Sequence, residues 1–200
     1  MSEVNNNSKL MTWFKLGRVS NLPTVWSNTL VGLAIGVLAY STGTAGGNAA
    51  GGLHMPSIVT ILSAIFAMSL FYVGGMFLND AFDAQIDSVE RPERPIPSGV
   101  VSRSSVFAAG FALLSGGVAI VVMAKLLVTG GALLPPLIAS ILLGLCIVLY
   151  NLWHKENPLS PLVMGLCRVL VYVTTALMVC LLYTSPSPRD ATLSRMPSSA

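Results

Sequence analysis

The sequence predicts an all-α fold, a multi-pass transmembrane helical bundle. Of its 200 residues, 54% are hydrophobic and only 10% are charged, and the mean hydropathy is +0.74. Between Val19 and Asn79 there is no Lys, Arg, Asp or Glu. Five apolar runs are separated by polar segments, and each approaches the length of about 20 residues that a helix needs to cross a bilayer. This composition excludes an ordinary water-soluble domain.

The residues that break helices set the bounds of the five predicted spans. The Gly- and Thr-rich stretch after the first run disfavours a helix, whereas Pro56, and later Pro135 and Pro136, fit a first helical turn. The predicted spans are, in order, about 22–40, 56–79, 106–128, 135–150 and 162–182. We also expect residues 10–16 to form a short amphipathic segment on the membrane surface, and the Lys125 ammonium group to reach the interface from the end of the third helix.

The positive charges predict the orientation, because short loops rich in Lys and Arg stay on the cytoplasmic side. The loop between the first two helices carries no charge, and the next loop on that side has only Lys125 at its edge. The opposite side holds Lys9, Lys15, Arg18, Arg91, Arg94, Arg103 and Lys155. We therefore expect a protein of the cytoplasmic (inner) membrane whose N-terminus lies in the cytoplasm.

An acidic cluster, "NDAFDAQID", begins where the second apolar run ends. At about 100° per residue, Asn79, Asp83 and Asp87 share one helix face, and Asp80 flanks it. Carboxylates this close repel one another, and a bound cation removes the repulsion. An all-oxygen set of ligands favours Mg2+. The alternative is a solvated cytoplasmic loop beside a helix end.

Magnesium shares its coordination shell with water and phosphate oxygens, so the cluster suggests a phosphorylated ligand. Arg91 and Arg94 follow the acids, and prolines in "RPERPIPSG" stiffen the loop that holds them nearby. Arg168 lies about two turns into an apolar helix, where an unpaired charge costs at least ~2.5 kcal/mol. We therefore expect a buried Arg168 with an anionic partner, either a substrate phosphate or an aspartate. A structural salt bridge is the alternative.

Other polar residues lie near the same side of the membrane. Arg18 and Asn21 stand three residues apart where the first helix begins, and we expect them to face the bundle interior. Their alternatives are membrane anchoring for Arg18 and helix capping for Asn21. Tyr150 and Lys155 lie between the fourth and fifth helices, on the same side as the aspartates, so that they can close over a common ligand.

Together these segments resemble the UbiA superfamily of intramembrane prenyltransferases. "NDAFDAQID" matches the family's first aspartate-rich motif, Asn-Asp-x-x-Asp-x-x-x-Asp, and "RPERPIPSG" matches the pattern that follows it. "RVSNLPTVWSN" is similar to the family's first helix, and "YNLWHKENPLSPLVMGLCR" to its Tyr- and Lys-bearing segment. These last two segments are closest to the EboC-like bacterial branch. The resemblance covers roughly residues 14–182.

The resemblance implies a helical fold with a central cavity, Mg2+ as cofactor, and transfer of an isoprenoid group from a prenyl diphosphate to an aromatic or other lipophilic acceptor. Carried over by position, the metal ligands are Asn79, Asp80, Asp83 and Asp87. The residues expected to bind the prenyl diphosphate are Arg18, Asn21, Arg91, Arg94, Lys155 and Arg168. The catalytic residues are Asp83, Asp87, Tyr150 and Lys155, with Tyr150 at the reacting end of the prenyl chain. The lipid bilayer is the other partner, and no nucleic acid is expected.

The family is expected to have nine helices and a second aspartate-rich motif, whereas this sequence provides five spans. Residues 1–182 are therefore interpreted as the N-terminal part of such a domain. Residues 183–200 are rich in Ser and Pro, and we expect a disordered, non-native tail. The fragment alone is expected to be inactive. A transporter or channel, or a non-catalytic lipid-binding protein, is the alternative; a transporter would place its acids at the bilayer midplane, not beside arginines at a helix end.

Overall fold

The computed structural model describes residues 11–42, 55–129, 132–153, 155 and 157–180. Within these residues there is no strand, and the all-α prediction is confirmed. The five long helices are α1 (Leu22–Ser41), α2 (Ile58–Glu90), α3 (Arg103–Ala124), α4 (Leu134–Trp153) and α5 (Ser160–Cys180). Each of the five is long and apolar enough to cross a membrane. The predicted tail at 183–200 lies outside the described residues.

Helix α2 is longer than predicted, because it continues eleven residues past Asn79 to Glu90. Its N-cap is Ser57, whose side chain accepts a hydrogen bond from the Thr60 backbone amide at 3.2 Å. Nothing between Asn79 and Glu90 breaks a helix, and the first proline is Pro92. At about 1.5 Å per residue the helix is about 50 Å long, which exceeds a hydrocarbon core of about 30 Å. The acids therefore stand on rigid helix and not on a loop.

Small residues allow the helices to approach closely. Helix α1 packs mainly against α5, and a Cβ atom at Gly36 would lie 2.7 Å from the carbonyl oxygen of Ala176. Helix α2 packs mainly against α3, where a Cβ at Gly117 would lie 2.8 Å from the ring of Phe71. Helix α4 contacts α2, α3 and α5. Such close contacts at small residues are typical of helix association in membranes, where van der Waals packing replaces the hydrophobic effect.

Two predictions about helix ends have different outcomes. Residues 11–16 are helical and pack one side against α2, whereas their position on the membrane surface stays a prediction. Leu16 is 3% exposed, and the ring of Trp13 lies 5.3 Å from that of Phe77. The prediction for Lys125 is wrong: the residue is only 2% exposed, so its ammonium group does not reach the interface. It begins a π-helical turn (Lys125–Thr129) that contacts α2 and α5, so the protein covers the side chain.

Candidate functional site

The acidic side chains occupy the last three turns of α2. Asp80 and Asp87 are buried, at 9% and 5% exposure, while Asn79 and Asp83 are partly buried. Buried carboxylates lose hydration and are stable only with a cation or hydrogen-bond donors nearby. The acids are therefore not the solvated loop that was the alternative interpretation.

Arg94 supplies the closest cation. Its Nη1 atom donates a hydrogen bond to Asp87 Oδ2 at 2.6 Å and lies 3.6 Å from Asp80 Oδ1. The loop after α2 folds back through backbone hydrogen bonds, among them Ser98 N to Arg94 O at 2.9 Å. Arg91, in contrast, is exposed at the end of α2, and none of the ion pairs between described residues involves it. The two arginines of the motif thus have different surroundings.

Arg18 reaches the acids from the other side. Its Nη2 atom lies 3.9 Å from Asp80 Oδ1, and its side chain is 46% exposed. Its backbone is left-handed, with φ 44° and ψ 46°, and within the described residues it is the only non-glycine residue with a positive φ. This conformation costs on the order of 1–3 kcal/mol, a cost that often marks a functional site. Asn21 follows at the start of α1, where its side chain makes no capping hydrogen bond.

Lys155 completes the set of cations. Its Nζ atom lies 3.0 Å from Asp83 Oδ1, with the two side chains 36% and 15% exposed. Lys155 lies between α4 and α5. The sequence predicted that this segment stands on the same side as the aspartates and can close over a common ligand. Asp80, Asp83 and Asp87 thus each have at least one basic partner, drawn from three separate parts of the chain.

Asn151 of α4 is a site residue that sequence reasoning missed. It is 5% exposed, and its Oδ1 accepts a hydrogen bond from Asn79 Nδ2 at 3.2 Å. Its own Nδ2 donates to the Gly75 carbonyl oxygen at 3.3 Å. The only sequence signal was a polar residue beside Tyr150 in an apolar helix. Arg103 was also missed as a contact: its Nε donates to the Ala81 carbonyl oxygen at 2.8 Å and ties α3 to α2.

A cavity of about 400 Å³ lies beneath the acidic face, between α1, α2, α4 and α5. Its wall is mostly apolar, with a few polar side chains. Asn28, in this wall, accepts a hydrogen bond from the Tyr172 hydroxyl of α5 at 3.1 Å. Gly75 and Met76 line the cavity one turn before Asn79. The lining also includes Asn21, Met68, Phe71, Leu143, Ile147, Tyr150, Asn151, Cys167 and Arg168.

The predicted burial of Arg168 is wrong. The residue is exposed and lines the cavity, and no ion pair between described residues involves it. The alternative of a structural salt bridge is therefore not seen in the described part of the chain. The Arg168 side chain stays uncovered because it stands on the wall of an open cavity.

The residues present fit a bound Mg2+, although the described ones contain no group of three acidic, His or Cys side chains close enough to hold a metal by themselves. Magnesium commonly uses one or two carboxylates and completes its shell with water and phosphate oxygens. Among the described residues, no donor makes a hydrogen bond to the buried Asp80 Oδ1, and the guanidinium groups of Arg94 and Arg18 lie 3.6 and 3.9 Å from it. A buried carboxylate oxygen without a hydrogen bond is costly, and direct coordination by a metal ion would remove that cost.

The chain is similar to known proteins of one family. The UbiA prenyltransferase family model matches residues 39–191. A digeranylgeranylglyceryl phosphate synthase of Methanoregula boonei is 34% identical over 132 residues, which are 66% of this chain and 41% of that protein. The synthase of Thermococcus kodakarensis is 40% identical over 70 residues, or 35% of this chain and 24% of the relative. The chain thus spans less than half the length of these relatives.

A solved structure gives the same fold. It comes from work on digeranylgeranylglyceryl phosphate synthase in membranes, and it superposes with a TM-score of 0.64 at 24% identity. The match covers 86% of this chain and 53% of that one. At this identity the likeness establishes the fold alone.

Proposed function

Because this chain belongs to the UbiA prenyltransferase family and is a multi-pass membrane protein, we propose that it forms the prenyl diphosphate site of a Mg2+-dependent prenyltransferase. The full protein transfers an isoprenoid group from the diphosphate to a lipophilic acceptor. It lies in the cytoplasmic membrane with its acidic face toward the cytoplasm, as the distribution of Lys and Arg favours.

One observation carries the proposal: a cluster of buried acids and basic side chains lies directly above an apolar cavity. Gly75 lines the cavity, Asn79 begins the acidic face one turn later, and Asn151 touches both. A ligand that fits has a charged head and a long apolar tail. A prenyl diphosphate has this form, whereas a small ion or a water-soluble metabolite would leave the apolar cavity without an occupant.

The metal would be held by Asn79, Asp83 and Asp87, with Asp80 beside them. When bound, Mg2+ neutralises charge on the diphosphate and so makes it a better leaving group. Arg94, Lys155 and Arg18 lie beside these acids and supply fixed positive charge, and Arg91 and Arg168 add cations at the loop and the cavity wall. Charges arranged in advance stabilise the leaving diphosphate without reorganisation during the reaction.

Transfer begins when the allylic C–O bond breaks and the diphosphate leaves with the electron pair. The apolar cavity excludes water, so the allylic cation survives until a nucleophilic atom of the acceptor forms the new bond and loses its proton. Tyr150 lines the cavity next to Asn151, which supports a role for it at the reacting end of the prenyl chain. The relatives are named for digeranylgeranylglyceryl phosphate, which is therefore the product to test first.

The test uses the full-length product of the gene, purified into nanodiscs. Labelled geranylgeranyl diphosphate and a panel of lipid acceptors are supplied with Mg2+ or with EDTA, and the labelled product is separated by chromatography. We expect transfer that requires Mg2+ and that Asp83→Ala abolishes. Wild-type transfer in Asp83→Ala would remove the catalytic role of this face. Ion flux across proteoliposomes without any prenyl transfer would favour a transporter.

A further inference from the structure

We propose that Asn151 is a positioning residue: through a relay that begins at the Gly75 carbonyl, it turns the side-chain oxygen of Asn79 toward the acidic face. This inference rests on the proposed function, since it concerns the metal site of that same face. Asn151 itself touches no substrate atom in this role.

The relay starts from a backbone carbonyl oxygen, a group that can only accept hydrogen bonds. The Gly75 carbonyl oxygen is an acceptor, so the Asn151 atom that faces it at 3.3 Å must be the amide nitrogen. The opposite orientation would place two acceptor oxygens against each other. The backbone of α2 therefore fixes the orientation of the Asn151 amide.

The second step follows in the same way. With its nitrogen on Gly75, Asn151 presents Oδ1 to α2, and this atom accepts from Asn79 Nδ2 at 3.2 Å. Asn79 must therefore point its nitrogen at α4. Its Oδ1 is then the atom left for other ligands, and no hydrogen bond within the described residues engages it. Asn79 shares its helix face with Asp83 and Asp87, so an oxygen rather than a nitrogen joins that face.

This orientation matters because hard cations bind oxygen and are not ligated by an amide NH2 group. A freely rotating Asn79 would present the wrong atom part of the time. Removal of a group that orients a metal ligand typically lowers metal affinity about 10- to 100-fold. The relay is short and uses neutral hydrogen bonds, so we expect an effect near the lower limit, about tenfold.

The test measures metal binding directly, without turnover. Full-length protein in nanodiscs is titrated with Mn2+, and free Mn2+ is followed by electron paramagnetic resonance. Asn151→Leu keeps the number and branching of the side-chain heavy atoms and removes both hydrogen bonds, so we expect about tenfold weaker Mn2+ binding. The matched control is Ser140→Ala, which removes a buried hydroxyl on the same helix that donates to the Leu137 carbonyl oxygen at 2.8 Å. Its Mn2+ affinity should equal that of the wild type.

Two double variants separate a relay from general loss of structure. In an Asn79→Ala background, Asn151→Leu should weaken Mn2+ binding no further. In an Asn79→Asp background, Asn151→Leu should again cost nothing, because either carboxylate oxygen can serve as ligand. Asn151→Ala replaces Asn151→Leu throughout if the leucine variant does not fold.

Unchanged Mn2+ affinity in Asn151→Leu, or independent and multiplying effects of the Asn79 and Asn151 substitutions, would overturn the relay while leaving the metal site itself intact. If the wild type binds no Mn2+, both the relay and the proposed metal-dependent function are wrong. The two failures are therefore distinguishable.

Discussion

Replacing Arg94 with Ala should lower the free energy of unfolding by about 2 kcal/mol. Its guanidinium lies 2.6 Å from Asp87 Oδ2, a hydrogen bond between charged groups that typically contributes about 1.5–3 kcal/mol. The second contact, 3.6 Å to Asp80, is longer and adds less. Loss of one partner from a fully buried pair costs about 3–5 kcal/mol. Here the Arg94 side chain is 25% exposed, so water reduces the penalty.

A double-mutant cycle with Asp87→Asn measures this pair. Unfolding in mixed micelles is followed for Arg94→Ala, Asp87→Asn and the double variant, and we expect a coupling energy of at least about 1 kcal/mol. Arg91→Ala is the matched control for stability, because Arg91 lies in the same loop, is exposed and has no ion pair among the described residues. Its unfolding free energy should change by less than about 0.5 kcal/mol. A coupling energy near zero, or equal effects of the two arginine variants, would refute the reasoning.

Three further outcomes are expected. Gly36→Val should destabilise the α1–α5 contact by about 1–3 kcal/mol, because the added carbon meets the Ala176 backbone. Gly165→Ala should not destabilise the protein, because no atom lies within 4 Å of the added carbon. Chemical unfolding compares the two variants, and equal effects would contradict the packing argument. Arg18→Gly should raise the free energy of unfolding by about 1 kcal/mol by relieving the positive φ, and it should weaken prenyl diphosphate binding. A variant that is more stable and binds more tightly, or less stable and binds more weakly, would contradict this prediction. EDTA should abolish prenyl transfer and added Mg2+ should restore it, whereas transfer that persists in EDTA would exclude an essential metal.

Much of the fold follows from hydropathy alone, because length and apolarity decide which segments cross a membrane. Helix α1 begins at Leu22, as predicted, and ends one residue later than expected. The end of α2 was misplaced because hydropathy falls at Asn79, whereas helix formation continues until a residue that breaks it. The family assignment from the motifs is confirmed.

The site was predictable only where its residues are close in sequence. The spacing of Asn79, Asp83 and Asp87 places them on one face of any helix, and the proline-rich loop brings Arg94 back to them. The contact of Asn79 with Asn151 joins residues 72 positions apart, and no local pattern predicts such a distant pair. The ligand roles themselves stay predictions that the metal titration tests.

A single uninterrupted helix carries both the cavity wall and the acidic face. Phe71, at the wall, and Asp87, at the charged end, are separated by about 24 Å at 1.5 Å per residue, and no proline lies between them. Under the proposed function, the head of a bound isoprenoid would lie at a constant height above the residues that meet its tail. Donor length would then be selected by the side chains at the lower end of the cavity, and substitutions there should alter donor preference without altering affinity for inorganic diphosphate.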